Sequence, residues 1–439
     1  MQAAVSFPFP FITLPDPAVS GEGALDPLGL ATTSDALANW LVPHMTARMS
    51  RPRFLTAMAV AASVCQGLDD KIARDGVTPA YLVFEWLLVE GFARAAARED
   101  VVRTPGIEKG RLAVAKKIPL SSATYLKTPS VFGFHGVYRR LGVAAGIVDD
   151  ELRLAENGYR LLKVWEQEQG LDGFSDAFEV NTGLRGLLRS AVKAGIADGY
   201  VIRAGTWQGW KFFAEHLTPA RPGRNEAIFL RELILDPRGE TRGEIYRLLE
   251  AWSTDQRSDE EEPAMARRLL EKASEELALR LRTIFAFEEF CQALETAFDL
   301  LRHLSTRNGA HALSRAAFSA DPDVRRIADM FPGRFAKADR MLQAAPTKAM
   351  AGFDGLARYF RHVKSAADLY DAMLERHGHV QKAKPPEGKR EWFEHGQDGS
   401  VFVRPPYRLD DRPKLGESWN RPYRLYAVQS FCDDLKIGS

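Results

Sequence analysis

Residues 129–165 read PSVFGFHGVYRRLGVAAGIVDDELRLAENGYRLLKVW. Thr128 can cap a helix that Pro129 opens, because proline presets the helical φ and lacks the donor that a first turn leaves orphaned. Val131, Phe134, Val137 or Tyr138, and Leu141 then recur every three to four residues, the spacing that seats one face of a helix on a core. His135, Arg139 and Arg140 fall elsewhere around that helix. Gly142 and Gly146 weaken its end and allow a turn. Ile147-Val148 and Leu152-Arg153-Leu154 form two short β stretches around Asp149-Asp150-Glu151. Ala155-Glu156-Asn157-Gly158 leads into an amphipathic helix over Tyr159–Gln167.

Helix, short hairpin, helix is the order of the closing half of a winged helix-turn-helix. Such a unit puts a recognition helix in the major groove of DNA while neighbouring cations neutralise phosphates. The local charge agrees. Between 103 and 140, Arg103, Lys109, Arg111, Lys116, Lys117, Lys127, Arg139 and Arg140 stand against the single acid Glu108, a local net of +7 in a chain whose formal total is +1. Arg139 and Arg140 are the candidates for groove or backbone contact, with His135 on the same helix. Arg111, Lys116, Lys117 and Lys127 are the candidates for positioning on phosphates. The expected partner is double-stranded DNA. Asp149, Asp150 and Glu151 at the wing turn depart from that pattern, since three acids repel a DNA backbone. They suit a rival reading in which the winged helix is a protein–protein module.

The whole chain adds bounds. Its 439 residues allow roughly two to four domains. The near-zero total charge says nothing of a polyanionic partner, so only local patches can. Cys65, Cys291 and Cys432 are far apart and odd in number, which argues against a disulfide framework and a structural zinc site and fits a reducing cytosol. No apolar run approaches the ~18 residues of a membrane span, and the start, MQAAVSFPFPFITLPDP, has no basic leader. A cytoplasmic protein with no membrane contact is expected.

Five stretches follow along the chain. Residues 1–100 hold an extended segment, with Phe7, Phe9 and Phe11 alternating with prolines, and then helices: one capped by Ser34 or Asp35, one carrying Phe54, Met58, Val60 and Val64, and an all-round apolar one with Thr78 as cap and Pro79 at its first position. Residues 101–172 are the winged-helix-like domain. Residues 173–257 form a second helix and strand unit, either an echo of the first or a chance likeness, followed by two helices around the turn Asp236-Pro237-Arg238-Gly239. Residues 258–379 are helical after the acidic run Ser258–Pro263, with 264–306 as one long helix or two, and Asp321-Pro322 opens another. Residues 380–439 comprise a polar connector, a hairpin around Gln397-Asp398-Gly399, and a closing helix. The fold class is mainly α, a multi-helix protein with an embedded winged helix-turn-helix and small β hairpins.

Catalytic patterns are thin. GxxxxGK[ST], GxGxxG after a strand, HExxH and GxSxG do not occur. His377 and His379 in ERHGHV read as a polar helix terminus. Glu295, Asp299 and His303 recur every four residues, which an exposed helical face explains as well as a site does; Glu288 and Glu289 lie near them. Asp236, Glu240 and Glu244 with Arg238 and Arg242 sit at a turn and helix start rather than on paired strands. Trp207 and Trp210 in RAGTWQGW suit core packing better than a platform for unstacked bases. No cofactor, metal or catalytic residue is assigned.

Three passages carry a family resemblance: DPLGLATTSDALANWLVPHMTARMSRPRFLTAMAVA (26–61), YLKTPSVFGFHGVYRRLG with GIVDDELRLAENGYRLL (125–142 and 146–162), and FVRPPYR with YRLYAVQSFCDDL (402–408 and 423–435). They are similar to an uncharacterised bacterial family found in gene clusters that look like phage-defence islands, beside helicases, nucleases or methylases. The resemblance implies a role in a multi-component defence system, with a helicase or nuclease among its partners, and transfers no catalytic residue. The expected function is a non-catalytic DNA-binding and assembly subunit. The alternatives are a protein scaffold whose winged helix does not touch DNA and a nuclease-like enzyme with an unrecognised site.

Overall fold

The structure, a computed structural model, describes residues 26–176, 182–220, 222–235, 240–252, 260–309, 311–384, 388–416 and 418–436. Phe7, Phe9 and Phe11, the turn 236–239, Ser258 and Asp259 of the acidic run, and 385–387 of the connector lie outside them.

Eighteen α-helices form among the described residues. They are α1 (Ala31–Leu41), α2 (Phe54–Cys65), α3 (Ala80–Ala95), α4 (Ile107–Lys116), α5 (Pro129–Phe132), α6 (Phe134–Ala144), α7 (Glu156–Glu168), α8 (Gly183–Asp198), α9 (Gln208–His216), α10 (Arg224–Leu230), α11 (Thr241–Glu250), α12 (Glu262–Leu270), α13 (Glu275–Arg307), α14 (Arg315–Ala320), α15 (Pro322–Leu342), α16 (Thr347–Phe360), α17 (Ala366–Lys382) and α18 (Leu425–Asp434). Two antiparallel strand pairs accompany them: β1 (Leu120–Ser121) with β2 (Tyr200–Val201), and β3 (Phe393–His395) with β4 (Val401–Val403). The protein is mainly α.

The chain forms two compact units: Asp35–Arg282 with Ser418–Ser439, and Met1–Ser34 with Thr283–Glu417. The five stretches of the sequence reading therefore regroup. Residues 101–172 and 173–257 share one unit because α4, α6, α8 and α9 all pack on α3, and 380–439 is divided between the two.

In the larger unit every residue of α2 is buried. So is α3 from Leu82 to Phe92, as an all-round apolar pattern requires. Gly110 lets α4 approach α3 closely: a Cβ there would meet the Val89 carbonyl oxygen at 2.9 Å. Arg53 and Glu226, both fully enclosed, pair at 3.1 Å. The Arg53 guanidinium also donates to the carbonyls of Thr218 and His216, and Thr56 donates to Glu226 at 2.6 Å. Each charge is thus hydrogen-bonded on several sides, which is what burial of an ion pair demands. Glu262, also buried, accepts from the N–H groups of Tyr423 and Leu425 and so holds the start of α18.

The smaller unit is built on aromatic packing. Phe290 of α13 stands within 6.2 Å of the rings of Phe331, Phe335, Phe353 and Phe360. Asp321 accepts from the N–H groups of Asp323 and Val324 ahead of Pro322, the cap that the sequence signals. The β3–β4 hairpin turns at 396–400, as expected, and Leu313 extends it by a bridge to Val401.

Other expectations change. The first helix begins at Ala31, where both Asp26 carboxylate oxygens accept from Leu30 and Ala31, rather than at a cap on Ser34 or Asp35. Pro79 rather than Thr78 precedes α3; Thr78 is bonded to Asp75 instead. The reading of 264–306 resolves into two helices, α12 and α13.

Candidate nucleic-acid interface

The stretch 129–165 folds as helix, turn, helix, with two differences from the expected unit. Its first helix breaks at Gly133. Pro129 opens a single turn, α5, and Gly133 is extended at φ −76°, ψ 161° before α6 begins. Packing requires glycine at the break: a Cβ on Gly133 would lie 2.1 Å from a Glu85 carboxylate oxygen. Val131 is accordingly 42% exposed instead of seated on the core. The second difference is the wing. The expected hairpin is a single bridge, Val148 to Leu154. Strand β1, which would complete a winged-helix sheet, pairs with β2 some 80 residues along the chain instead. A winged helix is not established by this arrangement. Nor does 183–216 repeat it, since β2 pairs with β1 whereas 148–154 closes on itself.

Helix α6 is held from below. Its buried residues are Phe134, His135, Val137, Tyr138, Leu141 and Gly142. Phe134 stacks on Phe54 at 5.5 Å. The Tyr138 hydroxyl accepts from the N–H groups of Ser50 and Arg51 at 3.1 and 2.9 Å. His135 Nδ1 lies 2.9 Å from Glu85 Oε2, whose oxygen also accepts from the His135 N–H, and Tyr125 donates to the other Glu85 oxygen at 2.8 Å. Burial first, then the charge of Glu85, pushes the Tyr125 phenol well above its ordinary value, so it stays a donor.

This corrects one site residue. His135 is only 3% exposed, and its ring serves Glu85 beneath the helix rather than a DNA groove above it. A recognisable signal was present: His135, Tyr138 and Gly142 share one helical face, and Glu85 interrupts the apolar run YLVFEWLL, where a buried acid needs a partner. Glu85 and Tyr125, which position α6, were missed.

The outer stripe of α6 carries Arg139, Arg140, Val143 and Ala144; Gly136, one turn earlier, is covered by α5, where a Cβ would lie 2.2 Å from the Ser130 carbonyl oxygen. Arg139 and Arg140 are exposed. The Arg139 guanidinium donates to the carbonyl of Asp150. Arg140 lies near Arg424, whose guanidinium burial lowers to about 10, helped by repulsion from Arg140. Lys116 ends α4, and Lys117 follows in left-handed backbone at φ 54°. Both are exposed, as is Lys127. Arg111 is half-buried and paired with Glu108 at 2.5 Å. Among the described residues, Lys116, Lys117, Arg139 and Arg140 form no ion pair.

The turn after α6 is acidic but internally bonded. Asp149 accepts from the N–H groups of Glu151 and Arg153 and pairs with the Arg153 guanidinium at 2.9 Å, while Glu151 pairs with the same guanidinium at 2.7 Å. Slight burial raises the Asp149 carboxyl, but these bonds outweigh it and hold it below the usual carboxylate range.

The other constellations are structural. His135 also borders a cavity of about 50 Å³ with Cys65 and Tyr81. Burial, reinforced by Asp69, pushes the Cys65 thiol up to about 12, so no thiolate is available there. Trp210 is buried, packs edge-on against Trp207 at 4.7 Å and donates to Ala204, which makes the pair core rather than platform. Glu244 holds Ser274, and Arg242 holds Pro43 and Glu240; Asp236 and Arg238 lie outside the described residues. Asp299 pairs with Arg302, His303 faces the Leu409 carbonyl, and Glu289 pairs with Lys337. His377 is fully buried. Among the described residues no group of three His, Cys, Asp or Glu stands where it could hold a metal ion, and no helix is long and apolar enough to cross a membrane.

Compared with known proteins, the chain matches no family model, no curated protein and no solved structure.

Proposed function

We propose that this protein binds duplex DNA with the outer stripe of α6, as a non-catalytic DNA-binding and assembly subunit of a bacterial anti-phage defence-type system working in the cytoplasm. The observation that carries the reading is the stripe itself. Two exposed arginines stand side by side on α6, and neither is neutralised by a carboxylate among the described residues, so both guanidiniums are available to phosphates or base edges. Lys116, Lys117 and Lys127 supply exposed charge for phosphates. The resemblance of the start, centre and end of the chain to a defence-island family carries the wider role, with a helicase or nuclease as the partner class. Three buried cysteines outside any disulfide suit a reducing compartment.

Duplex affinity across a salt series tests it. Replacing Lys116, Lys117, Arg139 and Arg140 with Ala should weaken binding and cut the slope of log K against log salt by up to about 3.6, at ~0.9 per phosphate contact. An unchanged slope in a folded variant would sink the proposal. One observation favours a second reading, a protein-only scaffold: the exposed acids of 149–151 stand beside Arg139. A folded wild-type protein that binds no duplex even at low salt would leave that reading in place. Plaque counts on cells with and without the intact gene cluster, and with the quadruple variant, test the defence role.

A further inference from the structure

An open cavity of about 680 Å³ lies in the larger unit, between the 47–50 turn, Arg103 and helix α18. Arg48, Arg103, Tyr426, Ser430, Glu260 and Asp433 are on its wall. It adjoins the elements that carry the arginine stripe. The Arg48 guanidinium sits 4.3 Å above the ring of Phe132, 46% exposed at the end of α5. Tyr138 of α6 stacks parallel to Phe431 of α18 at 6.4 Å.

Two features of the wall need an account. Arg103 holds left-handed backbone at φ 63° without being glycine, a costly conformation that tends to persist where a side chain must be aimed. Its carbonyl accepts from the Ser50 hydroxyl across the cavity's floor residues. Tyr426 leaves 47% of its surface exposed on the first turn of α18, while its hydroxyl is anchored on the Glu260 carbonyl at 3.0 Å. An aromatic ring is thus fixed in place with much of its surface uncovered.

We infer that this cavity holds a nucleotide, with its phosphate on the guanidiniums of Arg48 and Arg103 and its base against the ring of Tyr426. Guanidinium forks match phosphate oxygens, and an aromatic ring takes the face of any base. Glu260 on the wall is paired with Arg268, so it does not oppose the phosphate as an uncompensated charge. The volume also falls in the range of small-molecule pockets and exceeds what a lone phosphate fills. Because the cavity adjoins α5 and α6, an unpaired strand leaving a duplex on α6 can supply the nucleotide; a free nucleotide has the same chemistry. The strand source rests on the duplex reading above.

The test compares a blunt duplex, the same duplex with a short unpaired overhang, a single strand and a mononucleotide, each against the wild type, Tyr426→Ala and Tyr426→Phe at one low salt concentration. The overhang should tighten binding by about fivefold or more. Tyr426→Ala should remove that gain and leave blunt-duplex affinity unchanged; Tyr426→Phe, which keeps the ring and loses the bond to Glu260, should retain it. Saturable mononucleotide binding with the same variant pattern, and no overhang gain, identifies a free nucleotide as the occupant of the same site. If no duplex binds, the reading of α6 fails by itself, and a single strand that loses affinity in Tyr426→Ala still supports the cavity. A cavity that discriminates none of the four ligands between wild type and Tyr426→Ala overturns the inference.

Discussion

The larger unit buries His135 and the smaller buries His377, and these two are bonded in opposite ways. In the larger unit His135 meets the carboxylate of Glu85, itself fully enclosed. In the smaller unit His377 lies between two main-chain groups: its Nδ1 is 3.0 Å from the Pro27 carbonyl, and its Nε2 accepts from the Trp392 N–H at 2.9 Å. A carboxylate accepts a hydrogen bond from the ring. A carbonyl on one side and an N–H on the other fix one neutral tautomer, because a second ring proton would face a donor. The larger unit therefore carries a carboxylate-centred hydrogen-bond network beneath α6, and the smaller unit a neutral clamp that ties Pro27 to the β3 hairpin. The largest effect that tests this contrast is His135→Ala. It leaves the enclosed Glu85 with Tyr125 and a main-chain N–H but no ring, and should cost about 3–5 kcal/mol in denaturant unfolding. Replacing Glu85 with Leu in the same chain should recover a large part of that loss. A cost below 1 kcal/mol for the single change would mean the pair is incidental to α6.

The contrast extends to pH, where two buried groups, one in each unit, should respond in opposite directions. Burial first, against weaker raising bonds, lowers His377 from 6.5 to about 4. A group with a depressed folded value binds fewer protons than its unfolded form between those limits, so stability is present above about 6.5 and lost as pH falls toward about 4, by up to about 3 kcal/mol. In the larger unit, burial raises Asp434 to about 6 despite its pair with Arg51 at 2.5 Å. Its stability contribution is present below about 3.8 and lost as pH rises through about 6, by a similar or smaller amount. Hydrogen exchange corrected for intrinsic rates, followed separately in 392–403 and 425–434, should show the first segment loosening on acidification and the second tightening. His377→Gln should flatten the first response and Asp434→Asn the second. Parallel responses in both segments would show that one global transition hides both groups.

The elements that local chemistry specifies were legible. The apolar runs over 54–64 and 80–92, the Asp321-Pro322 start, the Gln397-Asp398-Gly399 turn and the last helix each follow from spacing or turn residues within a short window. What the sequence hid depends on distant partners. The break at Gly133 tolerates no side chain, because Glu85, almost 50 residues earlier, occupies the space one would need. Leu120 and Ser121 pair with 200–201, which no nearby pattern announces. For the candidate interface, the cationic stretch was readable as composition, and Arg139 and Arg140 as exposed. The inward turn of His135 required knowing which face of α6 meets α3. Arg48, Arg103 and Tyr426 lie far apart in sequence and come together only through the fold, so no motif could have grouped them.

The smallest expected effect probes the one feature that opposes a DNA partner. Asp150 is exposed on the acidic turn, and its own carbonyl, not its carboxylate, receives the Arg139 guanidinium. Asp150→Asn therefore keeps that bond and removes one negative charge from beside the stripe. Folding stability should change by less than about 0.5 kcal/mol, as at other exposed sites. If α6 approaches a duplex, affinity should rise a few-fold at low salt, and the gain should fade as screening shortens to about 8 Å at physiological ionic strength. If the same face meets a protein, duplex binding is absent in both forms and the substitution changes nothing in the salt series. The sign of this small effect separates a turn that merely borders the interface from one that excludes DNA from it. A loss of affinity would mean that the carboxylate orders Arg139 for binding rather than competing with phosphate.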